Sequence, residues 1–225
     1  MLSAVFFDLD GVIVNSEPPQ MKVFDMLLKK EGISLDKSDF FEYTGKRTID
    51  NFKDIVKRFG LKKTPEEYTA LKDKLYFQLL KEGEIFPNDD AVLLIKELYK
   101  ERVPLALVSG SPKRDIEYIL SCLNLEKIFQ TIISAEDVKN GKPDPEGYLL
   151  AATVLSVSPD KVWVIEDSFS GVLAAKRGKF NVIAVPTLYT KDHDFSLADV
   201  VFEKFSEVRN FLMKLVNKND LPTFG

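Results

Sequence analysis

The stretch Ala4-Val5-Phe6-Phe7-Asp8-Leu9-Asp10-Gly11-Val12 decides the fold. Its first four residues are apolar, with β-branched and aromatic side chains, and read as a buried parallel strand. The strand runs into two acids and a glycine, and Gly11 lets the chain turn sharply there. In open parallel α/β sheets, ligands sit outside the carboxyl ends of the strands. Asp8 and Asp10 therefore fall where chemistry happens, with Leu9 pointing the other way between them. The plainer alternative is a polar strand end that caps a turn, since Asp and Gly are ordinary turn residues.

Working outward from this stretch, Asn15-Ser16-Glu17-Pro18-Pro19 breaks the pattern and reads as a hinge or linker. Pro19 is acceptable near a helix start. Over residues 20–30 the apolar Met21, Val23, Phe24, Leu27 and Leu28 recur at helical spacing, and Gly32 stops that helix. Residues 36–44, 47–60 and 65–82 repeat the theme, rich in Lys and Glu with apolar residues three or four apart. Thr64-Pro65-Glu66-Glu67 is a helix start, with Thr as cap and Pro in the first turn. The predicted organisation is a helical domain over 15–83, set into an α/β domain made of 1–14 and 84–225.

From Ile85 onward strands alternate with helices. Helices are predicted over 90–101, 113–123, 144–155, 170–179 and 205–217. Strands are predicted over 103–108, 131–134, 162–165, 182–185 and, more weakly, 199–202. Such alternation implies a doubly wound, Rossmann-like parallel sheet covered by helices on both faces. The tail 218–225 is polar and expected to fray.

The 225 residues are 45% hydrophobic and 29% charged, the profile of a globular protein. A net charge of −4 argues against a nucleic-acid or membrane-surface partner. One cysteine, Cys122, leaves neither an internal disulfide nor a Cys-based zinc site, and its helical apolar surroundings suggest a buried thiol. No basic signal region opens the chain and no apolar run approaches the roughly 20 residues that span a bilayer, so a cytoplasmic location is expected. Trp163 reads as strand packing, and His193, in a polar loop, as solvated.

The strong strands end in different polar groups: Asp8 and Asp10, then Ser109-Gly110-Ser111, then Glu166-Asp167. Lys142 precedes a helix in Asn140-Gly141-Lys142-Pro143-Asp144-Pro145. Parallel strands gather these ends on one edge. Two like charges 4 Å apart repel by about 4 kcal/mol at an effective dielectric near 20. Converging carboxylates therefore need a cation, and an oxygen-only donor set without His or Cys points to Mg²⁺. Taken singly, each feature has an ordinary structural reading. Ser109 and Ser111 could cap a helix, Lys142 could be a solvated loop lysine, and Glu166-Asp167 could begin a helix.

Together the four blocks resemble the haloacid-dehalogenase-like superfamily in its phosphatase and β-phosphoglucomutase branch. The first block is Phe7-Asp8-Leu9-Asp10-Gly11-Val12. The second is Ser109 after Leu105–Val108, the third is Lys142, and the fourth is Glu166-Asp167-Ser168 followed by Gly171. The resemblance implies that Asp8 is the nucleophile and Asp10 the general acid and base. It implies that Ser109 and Gly110 bind the phosphoryl group and that Lys142 balances its charge. Mg²⁺ would be held by Asp8, Asp10 through its carbonyl, and Asp167, with Glu166 direct or through water.

The helical insert would then be a cap that gates the site, hinged at 14–19 and 81–87. Its basic turn Thr44-Gly45-Lys46-Arg47-Thr48 offers Arg47 as a contact to an anionic or polyhydroxyl ligand. Mutase relatives carry a histidine in the first cap helix, which is missing from Asn15-Ser16-Glu17-Pro18-Pro19-Gln20. Hydrolysis of a small phosphorylated metabolite is therefore favoured over β-phosphoglucomutase activity. A non-catalytic phosphometabolite-binding module is a third reading, disfavoured by retention of both Asp8 and Asp10. A monomer or weak homo-oligomer is expected.

Overall fold

The computed structural model describes residues 2–34, 43 and 47–219. Most of the helix expected at 36–44, residues 44–46 of the basic turn, and the tail from 220 lie outside the described residues. Six parallel strands form one sheet: β1 (Ala4–Phe7), β2 (Leu105–Val108), β3 (Thr131–Ile133), β4 (Val162–Glu166), β5 (Asn181–Ala184) and β6 (Val200–Val201). Their order is β3-β2-β1-β4-β5-β6, with β1 between the two halves. This is the doubly wound α/β architecture expected from the alternation.

The period-two geometry of β1 sends its residues into two cores. Val5 and Phe7 join Leu105, Leu107 and Ile165 on one face. That face is covered by α4 (Asp89–Lys100), α5 (Lys113–Leu123) and α8 (Phe205–Asn219). Ala4 and Phe6 join Val164 and Val182 on the other, beneath α6 (Glu146–Val154) and α7 (Phe169–Arg177). All four β1 residues are fully buried, which explains its unbroken apolar run.

Three described helices, α1 (Glu17–Lys30), α2 (Thr48–Phe59) and α3 (Pro65–Lys81), lie between β1 and α4 in the chain. They pack through stacked rings, Phe24 on Phe52 at 4.9 Å and Phe52 on Tyr68 at 5.4 Å. Thr64 caps α3 with a reciprocal bond to Glu67, as its sequence implies. The two strands of chain that enter and leave this insert run side by side. Asn15 N–H donates to the Phe86 carbonyl at 2.8 Å, and Val14 bridges Pro87.

Two expectations change. The linker expected at Pro18-Pro19 is already helix, because α1 begins at Glu17. Prolines in a first turn forfeit only amide donors that a helix start leaves unpaired anyway. Cys122 is exposed, not buried. The buried stripe of α5 is Asp115, Ile116, Ile119 and Leu120, and position 122 lies off that face. Trp163 is half-buried and meets Phe211 edge-on at 5.0 Å. Among the described residues no helix is long and apolar enough to cross a membrane.

Arg114, at the start of α5, clasps the insert. Its guanidinium lies 4.0 Å from the Phe77 ring and donates to the Asp73 carbonyl at 3.1 Å. Removing it by Arg114→Ala is expected to loosen α3 from α5 by about 1 kcal/mol. Amide exchange in 65–81 should quicken while β1 and β4 stay protected. Unchanged exchange there would remove Arg114 as a clasp.

Candidate active site

The register sets the chemistry at one edge. Phe7 lies beside Leu107 and Ile165, so β1, β2 and β4 end level. Asp8 follows Phe7, Ser109 follows Val108, and Asp167 follows Glu166 at the matching ends. The Asp8 amide donates to the Ile165 carbonyl at 3.1 Å, fixing the first acid against the fourth strand. Gly11 then turns the chain with φ +79°, and a Cβ there would fall 2.1 Å from Asp167 Oδ2. Only glycine leaves room for that carboxylate.

Asp8, Glu166 and Asp167 are buried, and each offers an oxygen within 4.8 Å of the others. Lys142 enters from the loop before α6. Its Nζ lies 2.5 Å from both Asp8 Oδ1 and Glu166 Oε1 and also donates to the Val108 carbonyl at 3.2 Å. Burial pushes the Asp8 carboxyl up to about 8, against the pull of Lys142 and with the charges of Glu166 and Asp10 adding to the rise. Burial raises Asp167 well above the carboxylate range, and Glu166 and Asp8 add to it. Burial opposes the charge of Lys142, yet Asp8 and Glu166 outweigh it and hold the ammonium strongly protonated. A site with three close acids and one ammonium is short of positive charge. The chemistry of its donors, all oxygens, fits a hard divalent cation.

Glu166 is fully buried and saturated. Oε1 receives Lys142 and the Tyr148 hydroxyl, the latter at 2.7 Å. Oε2 receives the Asp167 and Ser168 amides at 3.1 and 3.3 Å and the Ser168 hydroxyl at 3.1 Å. The carboxylate thus sits at the amide-rich start of α7, where a negative charge is favoured. Tyr148 was not singled out from the sequence, whereas Gly171 was, as the glycine that follows the fourth block. A Cβ at Gly171 would lie 1.7 Å from Glu166 Oε1. Gly171→Ala is therefore expected to displace a carboxylate that five donors hold, costing about 2 kcal/mol and slowing turnover. A variant that melts and turns over like the parent would show that Glu166 yields freely.

Asp10 sits apart from this acid group, on the Ser109 side. Ser111 Oγ donates to Asp10 Oδ2 at 2.7 Å, a closer contact than that from Ser109 Oγ at 3.4 Å. Ser109 Oγ accepts the Ser111 amide at 3.0 Å. The capping reading of Ser111 does not hold, because Pro112 takes the cap position of α5. Gln20, from α1, reaches Asp10 Oδ1 at 3.4 Å. His193 is half-buried rather than solvated, and its Nδ1 accepts the amide of Phe169 at the start of α7 at 3.3 Å.

The polar strand ends open into a cavity of about 330 Å³, roofed by the insert. Gly110 and Arg47 both line it. Arg47 packs on the Lys142 loop, where a Cβ on Gly141 would meet its Cδ at 2.9 Å, while its Nε is held by Asp50 at 2.7 Å. In the roof, burial pushes the Glu17 carboxyl up to about 7, helped by the charge of Asp10 and opposed by Lys72. An acid raised in the fold costs stability progressively as pH climbs from the unfolded value through the folded one. Glu17→Gln is therefore expected to stabilise the protein by about 3 kcal/mol at pH 8 and by little at pH 4. Urea unfolding at the two pH values would reveal equal gains if burial of Glu17 were without cost.

Residues 5–185 match the haloacid dehalogenase-like hydrolase family. The chain is 32% identical to the validoxylamine A 7'-phosphate phosphatase of Streptomyces hygroscopicus subsp. limoneus, over 93% of this chain and 97% of that protein. It is also 32% identical to a phosphorylated carbohydrates phosphatase of Thermotoga maritima, over 78% of this chain and 81% of the relative. The crystal structure of CbbY from Rhodobacter sphaeroides in complex with phosphate superposes with a TM-score of 0.81 at 25% identity, covering 92% of this chain and 96% of that one. With the match spanning β1 to the end of β5 and the site built at its level strand ends, the chain belongs to the haloacid dehalogenase-like hydrolase family and is one of its phosphoric monoester hydrolases.

Proposed function

We propose that this protein is a Mg²⁺-dependent phosphatase acting on a small phosphorylated metabolite, a sugar or polyol phosphate, through an aspartyl-phosphate. One observation carries the reading: Asp8 and Asp167, far apart in sequence, converge with Glu166 at the floor of a cavity, and Lys142 is seated on Asp8. The two 32%-identical relatives named as phosphatases support the same substrate class.

In this mechanism Asp8 attacks phosphorus with one carboxylate oxygen, the phosphoester bond breaks, and Asp10 protonates the departing oxygen. Asp10 then takes a proton from water as that water attacks the aspartyl-phosphate, which releases inorganic phosphate and restores Asp8. The hydroxyls of Ser109 and Ser111 orient Asp10 between these two steps. Ser109, Gly110 and the amides at the start of α5 receive phosphoryl oxygens. Lys142 holds the second Asp8 oxygen and offsets charge as it builds.

Asp8, Asp167 and the Asp10 carbonyl would hold Mg²⁺, whose chemistry there is to neutralise the phosphoryl oxygens. Both oxygens of Glu166 are already occupied by donors, which favours a role in fixing Lys142 over direct ligation. Residues 15–83 act as the cap that excludes water and meets the leaving group, with Arg47 at its edge.

The deciding measurement is phosphate release across a panel of sugar and polyol phosphates. Release should cease with EDTA and return with Mg²⁺. Inertness across a broad panel would defeat the reading, and conversion of β-glucose 1-phosphate to glucose 6-phosphate would replace it with a mutase.

A further inference from the structure

We propose that Thr190 is a positioning residue for the proposed metal ligand Asp167, and that His193 ties the loop carrying it to the start of α7. This rests on the reading above that a divalent cation sits at Asp167. It extends the site into the segment after β5, which holds none of the four blocks.

The segment 187–193 meets the junction of β4 and α7 on both sides of Ser168. Before that serine, the Thr190 hydroxyl donates to Asp167 Oδ2 at 3.5 Å. After it, the Phe169 amide donates to His193 Nδ1 at 3.3 Å. Phe169 opens α7, and its amide is one that a helix start leaves unpaired. The two contacts belong to one turn, because the His193 amide donates to the Thr190 carbonyl at 2.9 Å.

Thr190 is 1% exposed, and a polar group so deeply buried is placed by its hydrogen-bond partners. Its Oγ1 accepts the Thr187 amide at 3.0 Å and lies 3.1 Å from Thr187 Oγ1, which itself accepts the Tyr189 amide at 3.2 Å. An ionised carboxylate can only accept, so the Thr190 proton goes to Asp167 and the Thr187 proton to Thr190. Each donor in this chain of bonds then has an acceptor. Among the described residues the Asp167 carboxylate receives no other hydrogen bond. A Cβ on Gly11 would fall 2.1 Å from the same Oδ2, so bare backbone and the Thr190 hydroxyl bracket that oxygen. Close packing contributes little on the side of the Gly11 turn. An open cavity of about 270 Å³ there is lined by Thr187, Leu188 and Tyr189 together with Gly11, Asn15 and Pro87, and Leu188 is 68% exposed. Hydrogen bonds to a metal-binding carboxylate set how it is turned, and losing one costs about 10–100-fold in affinity.

The probe is Mn²⁺, a cation suited to the same oxygen donors, and its free concentration over full-length protein is read by electron paramagnetic resonance. Binding that persists in Asp167→Asn is background. Thr190→Val keeps the shape but loses the hydroxyl, and should weaken Mn²⁺ at least about tenfold. Thr190→Ser restores the donor and should return the affinity to within about threefold of the parent. His193→Ala leaves the hydroxyl but unties its loop, and should weaken Mn²⁺ about fivefold. It decides the matter if Thr190→Val does not fold. Parent-like binding by Thr190→Val, equal weakening by Thr190→Val and Thr190→Ser, or parent-like binding by His193→Ala would overturn the proposal. Phosphate release by the unmodified chain is read separately. An inert protein whose Mn²⁺ affinity follows Thr190 defeats the phosphatase reading alone, and an active one whose affinity ignores Thr190 defeats the positioning alone. A parent that binds no Mn²⁺ beyond the background overturns both.

Discussion

Asp8→Asn abolishes phosphate release, lowering kcat by about 10³-fold or more while the protein stays folded. The amide is close to isosteric with the carboxyl and keeps an oxygen that can accept from Lys142, which now sits 2.5 Å away. What it loses is a carboxylate able to form the bond to phosphorus. Stability should not fall with activity. Burial already pushes the Asp8 carboxyl up to about 8, so a neutral side chain relieves an unfavourable charge in the metal-free protein. Steady-state phosphate release and thermal melting in EDTA together check both halves. A variant that keeps more than a tenth of the activity would remove Asp8 from the nucleophile's role. One that melts far below the parent would show that its charge is structural.

Lys142→Met has the largest expected effect on stability, a loss of about 3–5 kcal/mol near neutral pH. The ammonium is the cation shared by Asp8 and Glu166, both buried. Methionine fills similar volume but leaves two facing carboxylates without their partner. The loss should shrink as pH falls, because protonating Asp8, whose carboxyl burial already pushes up to about 8, removes one of the charges that the lysine had offset. Urea unfolding at pH 7.5 and pH 5 measures this. A deficit that is the same at both values would mean that packing, not charge, explains it. Adding Glu166→Gln to Lys142→Met should recover part of the lost stability, since one of the two unpaired charges is then gone. Activity should fall in every case, because the lysine also holds the oxygen of Asp8 that does not attack.

Much of this architecture was legible in the chain. The run Ala4–Phe7 read as a buried parallel strand, as its full burial bears out, and the alternation after Ile85 located five further strands within a few residues. Thr64-Pro65-Glu66-Glu67 announced α3 because capping chemistry is local. Misreadings arose where a local signal had two outcomes. Pro18-Pro19 marks a break and a helix start alike, and an apolar stretch around Cys122 does not say which face of the helix is covered.

By itself the sequence determined the strands, the three described helices of the insert and the kinds of polar group at each strand end. Periodicity, capping and turn residues act over a few positions and are written in consecutive residues. Only the tertiary structure decided that Ser111 serves Asp10, that Tyr148 and Gly171 shape the seat of Glu166, and that Glu17, Asn51 and Lys72 share a roof. Those meetings depend on how whole elements are set against one another, and no local pattern encodes the distance between side chains brought together from separate helices and strands.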